Sequence, residues 1–205
     1  MSNIISIIIW SIIGYIIGSV PWALIIGKVF YKKDIRQYGS GNLGGTNAGR
    51  VLGKKAGIAV TLLDGLKAFI LMLILAFVDH DVIPYVGIAV MIGHCFPLFA
   101  NFKGGKGVAC AMGYLFGLGV FGFADFIFIF VYPTLIFFLS LAITKIVSLS
   151  SMIDLTSATI ISYLTTRELY ITVLIGIMTL FVIYRHKENI KRIIKGKESK
   201  ITWIK

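Results

Sequence analysis

Three short polar clusters interrupt an otherwise apolar chain, and their residue types suit the handling of phosphate. The first is residues 39–50, Gly-Ser-Gly-Asn-Leu-Gly-Gly-Thr-Asn-Ala-Gly-Arg. Five glycines in twelve residues oppose a helix, since each costs on the order of 1 kcal/mol against alanine there. They do allow left-handed backbone and successive N–H groups aimed at an anion. Ser40, Asn42, Thr46 and Asn47 offer short donors, and Arg50 a planar fork suited to phosphate. The competing reading is a flexible polar loop.

The second cluster, Phe102-Lys103-Gly104-Gly105-Lys106-Gly107, brackets two lysines with glycine just before an apolar stretch. Free N–H groups and a helix dipole would there meet an anion, unless the lysines only anchor the chain at a membrane surface. It is not a Walker A loop, because Ala100 stands at that motif's first glycine and Gly107 at its Ser/Thr. Upstream, His94 and Pro97 fall near the end of the preceding apolar stretch, and the histidine is read as structural. The third cluster, residues 185–192, puts His186 and Asn189 three apart on one helix face among Arg185, Lys187, Lys191 and Arg192. Facing anionic lipid would explain those cations but not the His–Asn pair. Ser148, Ser150 and Ser151 add hydroxyls from a loop, with Asp154 as a helix cap behind them.

The elements that position these clusters follow from composition. Of 205 residues, 58% are hydrophobic and 14% charged, and the mean hydropathy is +0.92. A soluble fold of this size needs more polar surface. Two cysteines exclude a disulfide framework, and three scattered histidines with carboxylates mostly at turns make no metal-ligand set. A net charge of +11 in so apolar a chain marks the cytoplasmic side of a membrane rather than nucleic acid.

Spanning helices need roughly 20 mainly apolar residues. Seven stretches qualify or nearly so: residues 3–27, 57–78, 82–100, 108–123, 126–143, 152–165 and 169–183. The first lacks the basic start and cleavage site of a signal peptide. With the N-terminus outside, the inner connections and tail hold 18 of the 20 Lys and Arg. Asp79, Asp81, Asp125 and the Arg167–Glu168 pair fall in outer turns. The expectation is an all-α membrane protein of seven transmembrane helices in one domain, 1–205. Its N-terminus is outside, its C-terminus cytoplasmic, and its glycine-rich loops face the cytoplasm. Asp64 and Lys67, inside the second span at i, i+3, are read as a neutralising structural pair roughly 12 Å deep. The tail from Lys187, with Ile190, Ile193, Ile194, Ile201, Trp203 and Ile204, is either an interfacial helix or a solvated basic end.

In sequence terms, Ser-Gly-Asn-x-Gly-x-Thr-Asn-x-x-Arg at 40–50, Gly-His-x-x-Pro-x-Phe-x-x-Phe-Lys-Gly-Gly-Lys-Gly-Val-Ala at 93–109 and Arg-His-x-x-Asn-Ile-x-Arg at 185–192 closely resemble the bacterial acyl-phosphate:glycerol-3-phosphate acyltransferases. The resemblance extends to Asp64-x-x-Lys67, the 148–151 serines and Gly196-Lys197-Glu198. It implies a multi-pass enzyme of the bacterial inner membrane with a cytoplasmic active site. That enzyme would move a fatty acyl group from acyl phosphate to the 1-hydroxyl of sn-glycerol 3-phosphate, releasing lysophosphatidic acid and inorganic phosphate. No cofactor, nucleic acid or obligate protein partner is implied, and membrane lipid surrounds the chain.

By the same resemblance, Arg50, Lys106, His186 and Asn189 form the catalytic set and hold glycerol 3-phosphate. Ser40, Gly41, Asn42, Thr46 and Asn47 form a phosphate cradle, and Lys103, Gly104, Gly105 and Ser150 are further binding positions. The hydroxyl proton goes either to His186 or, in the preferred reading, to the donor's own phosphate, and no covalent acyl-enzyme forms. Leu43 and Gly45 replace the family's frequent proline and alanine and are expected to loosen the loop, while Cys110 replaces a small hydroxyl residue. The alternative function is a membrane carrier of lipid phosphates or phosphate esters, using the same cradles for binding alone.

Overall fold

The computed structural model describes residues 3–166 and 168–201. Arg167, expected in an outer turn, and Trp203 and Ile204 of the tail lie outside them. Every regular element is helical among the described residues. The chain divides into two compact units, Met1–Gly117 and Leu118–Lys205.

In the first unit, α1 (Ile4–Gly18) and α2 (Trp22–Tyr31) occupy the first apolar stretch. The helix is interrupted where Pro21 has no N–H to give the ladder, while Ile4–Tyr31 still counts as one stretch able to cross a bilayer. A short turn at 35–37 and the glycine run lead to α3 (Gly45–Leu52). Next come α4 (Lys54–Val78), α5 (Ile83–Cys95) and α6 (Val108–Val120), the last crossing the boundary between units. Glycine lets these helices touch backbone to backbone. A Cβ on Gly18 would lie 2.1 Å from the Val90 carbonyl oxygen, and one on Gly113 2.0 Å from that of Gly65. Close small-residue contacts of this kind hold helices together where lipid gives no hydrophobic drive.

In the second unit, a π-helical turn over Ile127–Val131 runs into α7 (Tyr132–Thr144), followed by α8 (Val147–Thr165), α9 (Leu169–Arg185) and α10 (Lys187–Ile194). The π turn begins at Asp125, whose Oδ1 accepts the Ile127 and Phe128 N–H groups at 2.9 and 3.3 Å. Hydroxyl pairs join α8 to α9: Thr159 to Thr179 and Ser162 to Thr172, both at 2.9 Å. α10 turns away from α9 by 60°.

Large apolar side chains stay exposed along these helices, among them Ile4, Ile8 and Ile12 on α1, Phe77 on α4 and Leu180 on α9. Such surface requires lipid. By length and composition, five stretches can cross a bilayer, and six if the bent α9–α10 pair counts as one. α6 falls short of the expected fourth span, because 13 residues rise only about 20 Å against a core of about 30 Å.

Candidate active site

The first polar cluster is half loop and half helix. Asp34 caps the 35–37 turn, accepting the Arg36 N–H at 3.1 Å and its guanidinium at 2.9 and 2.6 Å. The Arg36 hydrogen bond, aided by nearby Lys28, lowers the Asp34 carboxyl to about 2. Gly39 and Gly41 then take φ of +60° and +68°, left-handed backbone that glycine adopts without strain. Against expectation, residues 45–52 are helical. The glycine cost is met by packing: Gly49 and Gly57 let α3 and α4 cross so closely that a Cβ on Gly57 would sit 2.6 Å from the Gly49 Cα.

Asn47, 2% exposed, orders the loop from behind. Its Oδ1 accepts the Ser40 N–H at 2.9 Å, and its Nδ2 donates to the Tyr38 and Asn42 carbonyls at 3.2 and 3.1 Å. The amide is thereby committed to the loop itself. Ser40, Thr46 and Arg50 are exposed, the last two one turn apart on α3. The two family departures both fall at packed positions. Leu43 is buried with Ala23, Leu24, Ile35, Ala48, Val60 and Ala100. Gly45 lies in the helix, where a Cβ would meet Thr61 Oγ1 at 1.9 Å.

Ala100, in that same apolar cluster, leads into the second polar loop. Asn101 and Phe102 both take left-handed φ, +54° and +57°. The loop then folds back on the end of α5, where Gly104 N–H donates to the Cys95 carbonyl at 3.2 Å and Gly105 N–H to that of His94 at 3.1 Å. These bonds satisfy carbonyls that a helix end leaves open. Of the N–H groups in this cluster, those of Gly104 and Gly105 therefore already have acceptors. Lys103 is exposed and Lys106 half-buried, beside the start of α6.

The third cluster lies in the second unit. His186 closes α9 and opens α10, and its Nδ1 donates to the Val182 carbonyl at 2.8 Å. Asn189 is buried, with Nδ2 2.6 Å from Glu198 Oε1. That carboxylate also accepts from Ser148 at 2.9 Å and from Arg192 Nε at 2.6 Å. Burial pushes the Glu198 carboxyl up, but the hydrogen bonds from Asn189, Arg192 and Ser148 outweigh it and hold it below its ordinary range. Sequence reasoning gave Glu198 no role, though an acid alone among the cations of residues 191–200 was the available signal.

The 148–151 serines belong to α8 rather than to a loop. Ser150 and Ser151 donate back to the Ile146 and Val147 carbonyls at 3.0 and 2.9 Å. Asp154 is buried inside α8, and the N-cap is Ile146. The 195–201 tail returns toward α7 and α8, with Ile201 N–H donating to the Lys145 carbonyl at 2.8 Å. Asp64 and Lys67 form the expected pair at 2.7 Å, both buried.

Of the candidate residues, those from Ser40 to Lys106 lie in the first unit, and Ser150, His186 and Asn189 lie in the second. A family model described as glycerol-3-phosphate acyltransferase matches residues 8–196. The chain belongs to the glycerol-3-phosphate acyltransferase family. It is an integral membrane acyltransferase, similar at 48% identity to the glycerol-3-phosphate acyltransferase of Listeria welshimeri, over 98% of this chain and 99% of that one. The fold is similar to crystal structures of PlsY (YgiH), an integral membrane glycerol 3-phosphate acyltransferase. The glycerol 3-phosphate form has a TM-score of 0.87 at 33% identity, and the lysophosphatidic acid form 0.84 at 32%, each over 96% of both chains.

Proposed function

We propose that this enzyme transfers a fatty acyl group from acyl phosphate to the 1-hydroxyl of sn-glycerol 3-phosphate, giving lysophosphatidic acid and inorganic phosphate, the first step of phospholipid assembly. The observation that carries the reading is the near full-length likeness to a structure in its glycerol 3-phosphate form. The donor class rests on the three sequence motifs, Ser40–Arg50, Gly93–Ala109 and Arg185–Arg192.

Acyl phosphate is already activated, so the protein's task is to neutralise and align two anionic substrates. Arg50, Lys106, His186 and Asn189 hold glycerol 3-phosphate, with Lys103 assisting. The loop ordered by Asn47 offers Ser40 and Thr46 to the donor's phosphate. The 1-hydroxyl oxygen bonds to the acyl carbon, and the bond from that carbon to the phosphate oxygen breaks. The hydroxyl proton leaves with the departing phosphate, and no acyl-enzyme intervenes. In this scheme His186 positions the acceptor. His186→Ala then raises KM for glycerol 3-phosphate, and a fall in kcat of roughly 10³-fold at constant KM would overturn that role.

With the short α6 counted as a crossing, the charge distribution supports seven crossings of the bacterial inner membrane, N-terminus outside, with the chain acting as one domain whose site faces the cytoplasm. The deciding experiment uses purified protein without added metal. It follows phosphate and lysophosphatidic acid from glycerol 3-phosphate with palmitoyl phosphate, and in parallel with palmitoyl-CoA. Turnover with palmitoyl phosphate alone is expected. Binding of glycerol 3-phosphate without turnover from either donor would favour a carrier.

A further inference from the structure

Outside the residues given a role in acyl transfer, the first unit buries a second polar group. Asp64 and Lys67 of α4 meet His94 of α5, and all three are at most 6% exposed. Lys67 Nζ lies 2.7 Å from Asp64 Oδ1 and donates to the Gly18 carbonyl at the end of α1 at 3.1 Å. His94 Nδ1 stands 3.4 Å from Asp64 Oδ1 and 3.5 Å from Lys67 Nζ. The Cys110 thiol of α6 donates to the Asp64 carbonyl at 3.2 Å. One cluster thus ties the four helices that frame the second glycine loop.

The other side of the same imidazole touches that loop. A Cβ on Gly105 would lie 1.9 Å from His94 Nε2 and 2.6 Å from its Cε1, so the ring occupies the space a side chain at 105 would need. The His94 main-chain carbonyl accepts the Gly105 N–H. Immediately before the loop, two successive non-glycine residues, Asn101 and Phe102, are left-handed. Such backbone persists only where its surroundings over-determine it. Here the surroundings are the end of α5: Phe102 N–H donates to the Pro97 carbonyl at 2.9 Å, and Gly104 N–H to that of Cys95.

We infer that His94 is a positioning residue: held on its Nδ1 side by Asp64 and Lys67, it braces the 101–107 loop with its Nε2 side and so sets where Lys106 presents its charge to substrate phosphate. Its role in fold stability and its role in positioning lie on opposite faces of one ring, which makes them separable. His94→Asn keeps a polar atom near the Nδ1 position and empties the Nε2 side. His94→Ala removes both.

The kinetic part of the inference rests on the proposed acyl transfer, so the test has a readout that needs no turnover. In detergent-purified protein, amide hydrogen exchange over residues 101–107 is expected to quicken at least tenfold in His94→Asn and His94→Ala, with the body of α6 unchanged within twofold. Thermal stability of His94→Asn should stay near that of wild type, whereas His94→Ala loses it. In the transfer assay, KM for glycerol 3-phosphate should rise at least tenfold in both variants, with kcat within threefold. Gly105→Ala pushes on the same contact from the loop side and reads the coupling even if neither His94 variant folds. His94→Ala/Gly105→Ala should be no worse in KM than the more impaired single variant. Unchanged exchange over 101–107, or single effects that multiply in the double variant, would overturn the brace. If wild-type protein performs no transfer, the functional reading falls, and the exchange data still decide the inference.

Discussion

The two units each hold a carboxylate beside a polar motif, and they satisfy it in opposite ways. Asp64 sits within a membrane-spanning helix, and its ion-pair partner Lys67 lies one turn away on the same helix. Glu198 sits in the tail beyond α10 and gathers donors from three places in sequence: Ser148 on α8, and Asn189 and Arg192 on α10. The first arrangement is local and dry, the second long-range and half-wet, since the Arg192 side chain is 45% exposed. In a dry site the partners must come from the protein itself, here chiefly each other with His94 beside them. In a wet one, several neutral and charged donors make a carboxylate worth ordering that water would otherwise hold almost as well.

The largest effect should come from breaking the dry pair. Asp64→Ala leaves the Lys67 ammonium buried with one carbonyl and a histidine, and should destabilise the protein by about 3–5 kcal/mol, the usual penalty for stranding a buried charge. Asp64→Leu with Lys67→Met removes both charges and should recover most of that loss. Thermal unfolding of the three proteins in one detergent measures both numbers. A double variant no better than the single would mean that the pair contributes something beyond neutralisation.

The contrast between the centres also marks what could be read from the chain. Asp64 and Lys67 were legible because their spacing alone puts them on one helix face. The apolar stretches were legible because hydropathy is summed over many residues. Glu198 was not, since its partners lie 50 and nine residues away and only the return of the tail unites them. Helix α3 was missed because intrinsic cost argues against glycine, whereas the contact of Gly49 with Gly57 requires it. The break at Pro21 was hidden inside an unbroken apolar run. Residue types at Gly104 and Gly105 pointed to the loop correctly, but not to their N–H groups closing α5 rather than waiting for an anion.

Loss of the wet centre should rank second. Glu198→Ala removes three hydrogen bonds to a charged group, each worth about 1.5–3 kcal/mol when shielded. Water can replace much of that around Arg192, so a net destabilisation of about 2 kcal/mol is expected. Asn189 loses its anchor in the same change, and kcat/KM should fall about tenfold, equivalent to ~1.4 kcal/mol. Glu198→Gln keeps one acceptor oxygen and should lie between alanine and wild type in both measurements.

Acidity sharpens the same comparison. Glu198 is held below its ordinary value in the folded protein. Its stabilisation is therefore complete above the unfolded value of about 4.3 and is lost as pH falls through the lower folded one. The difference in melting temperature between wild type and Glu198→Gln should be flat from about pH 7 to 5 and close below about pH 4. A difference that widened on acidification would contradict the sign.

The smallest effect should come from Asp34, an ion-pair site on the approach to the first cradle. Its side chain is 17% exposed, against 30% for Arg36 and 54% for Lys28. Its carboxyl is lowered to about 2, chiefly by the Arg36 hydrogen bond, so its contribution persists above about pH 3.9 and fades only near pH 2. Asp34→Asn keeps an oxygen for the Arg36 N–H and loses the charge together with the second oxygen that accepts from the guanidinium. Exposed pairs are worth roughly 0.2–1 kcal/mol, so the loss should be about 0.5 kcal/mol at neutral pH and should shrink in high salt. Kinetics should hardly respond, because the cradle is ordered by the buried Asn47 amide and the Leu43 anchor rather than by this pair. KM for glycerol 3-phosphate within about twofold of wild type, under ~0.5 kcal/mol, is the expected result. A tenfold rise would mean that the 35–37 turn aims the cradle, which would give the first unit a positioning device outside the membrane as well as the one buried at His94.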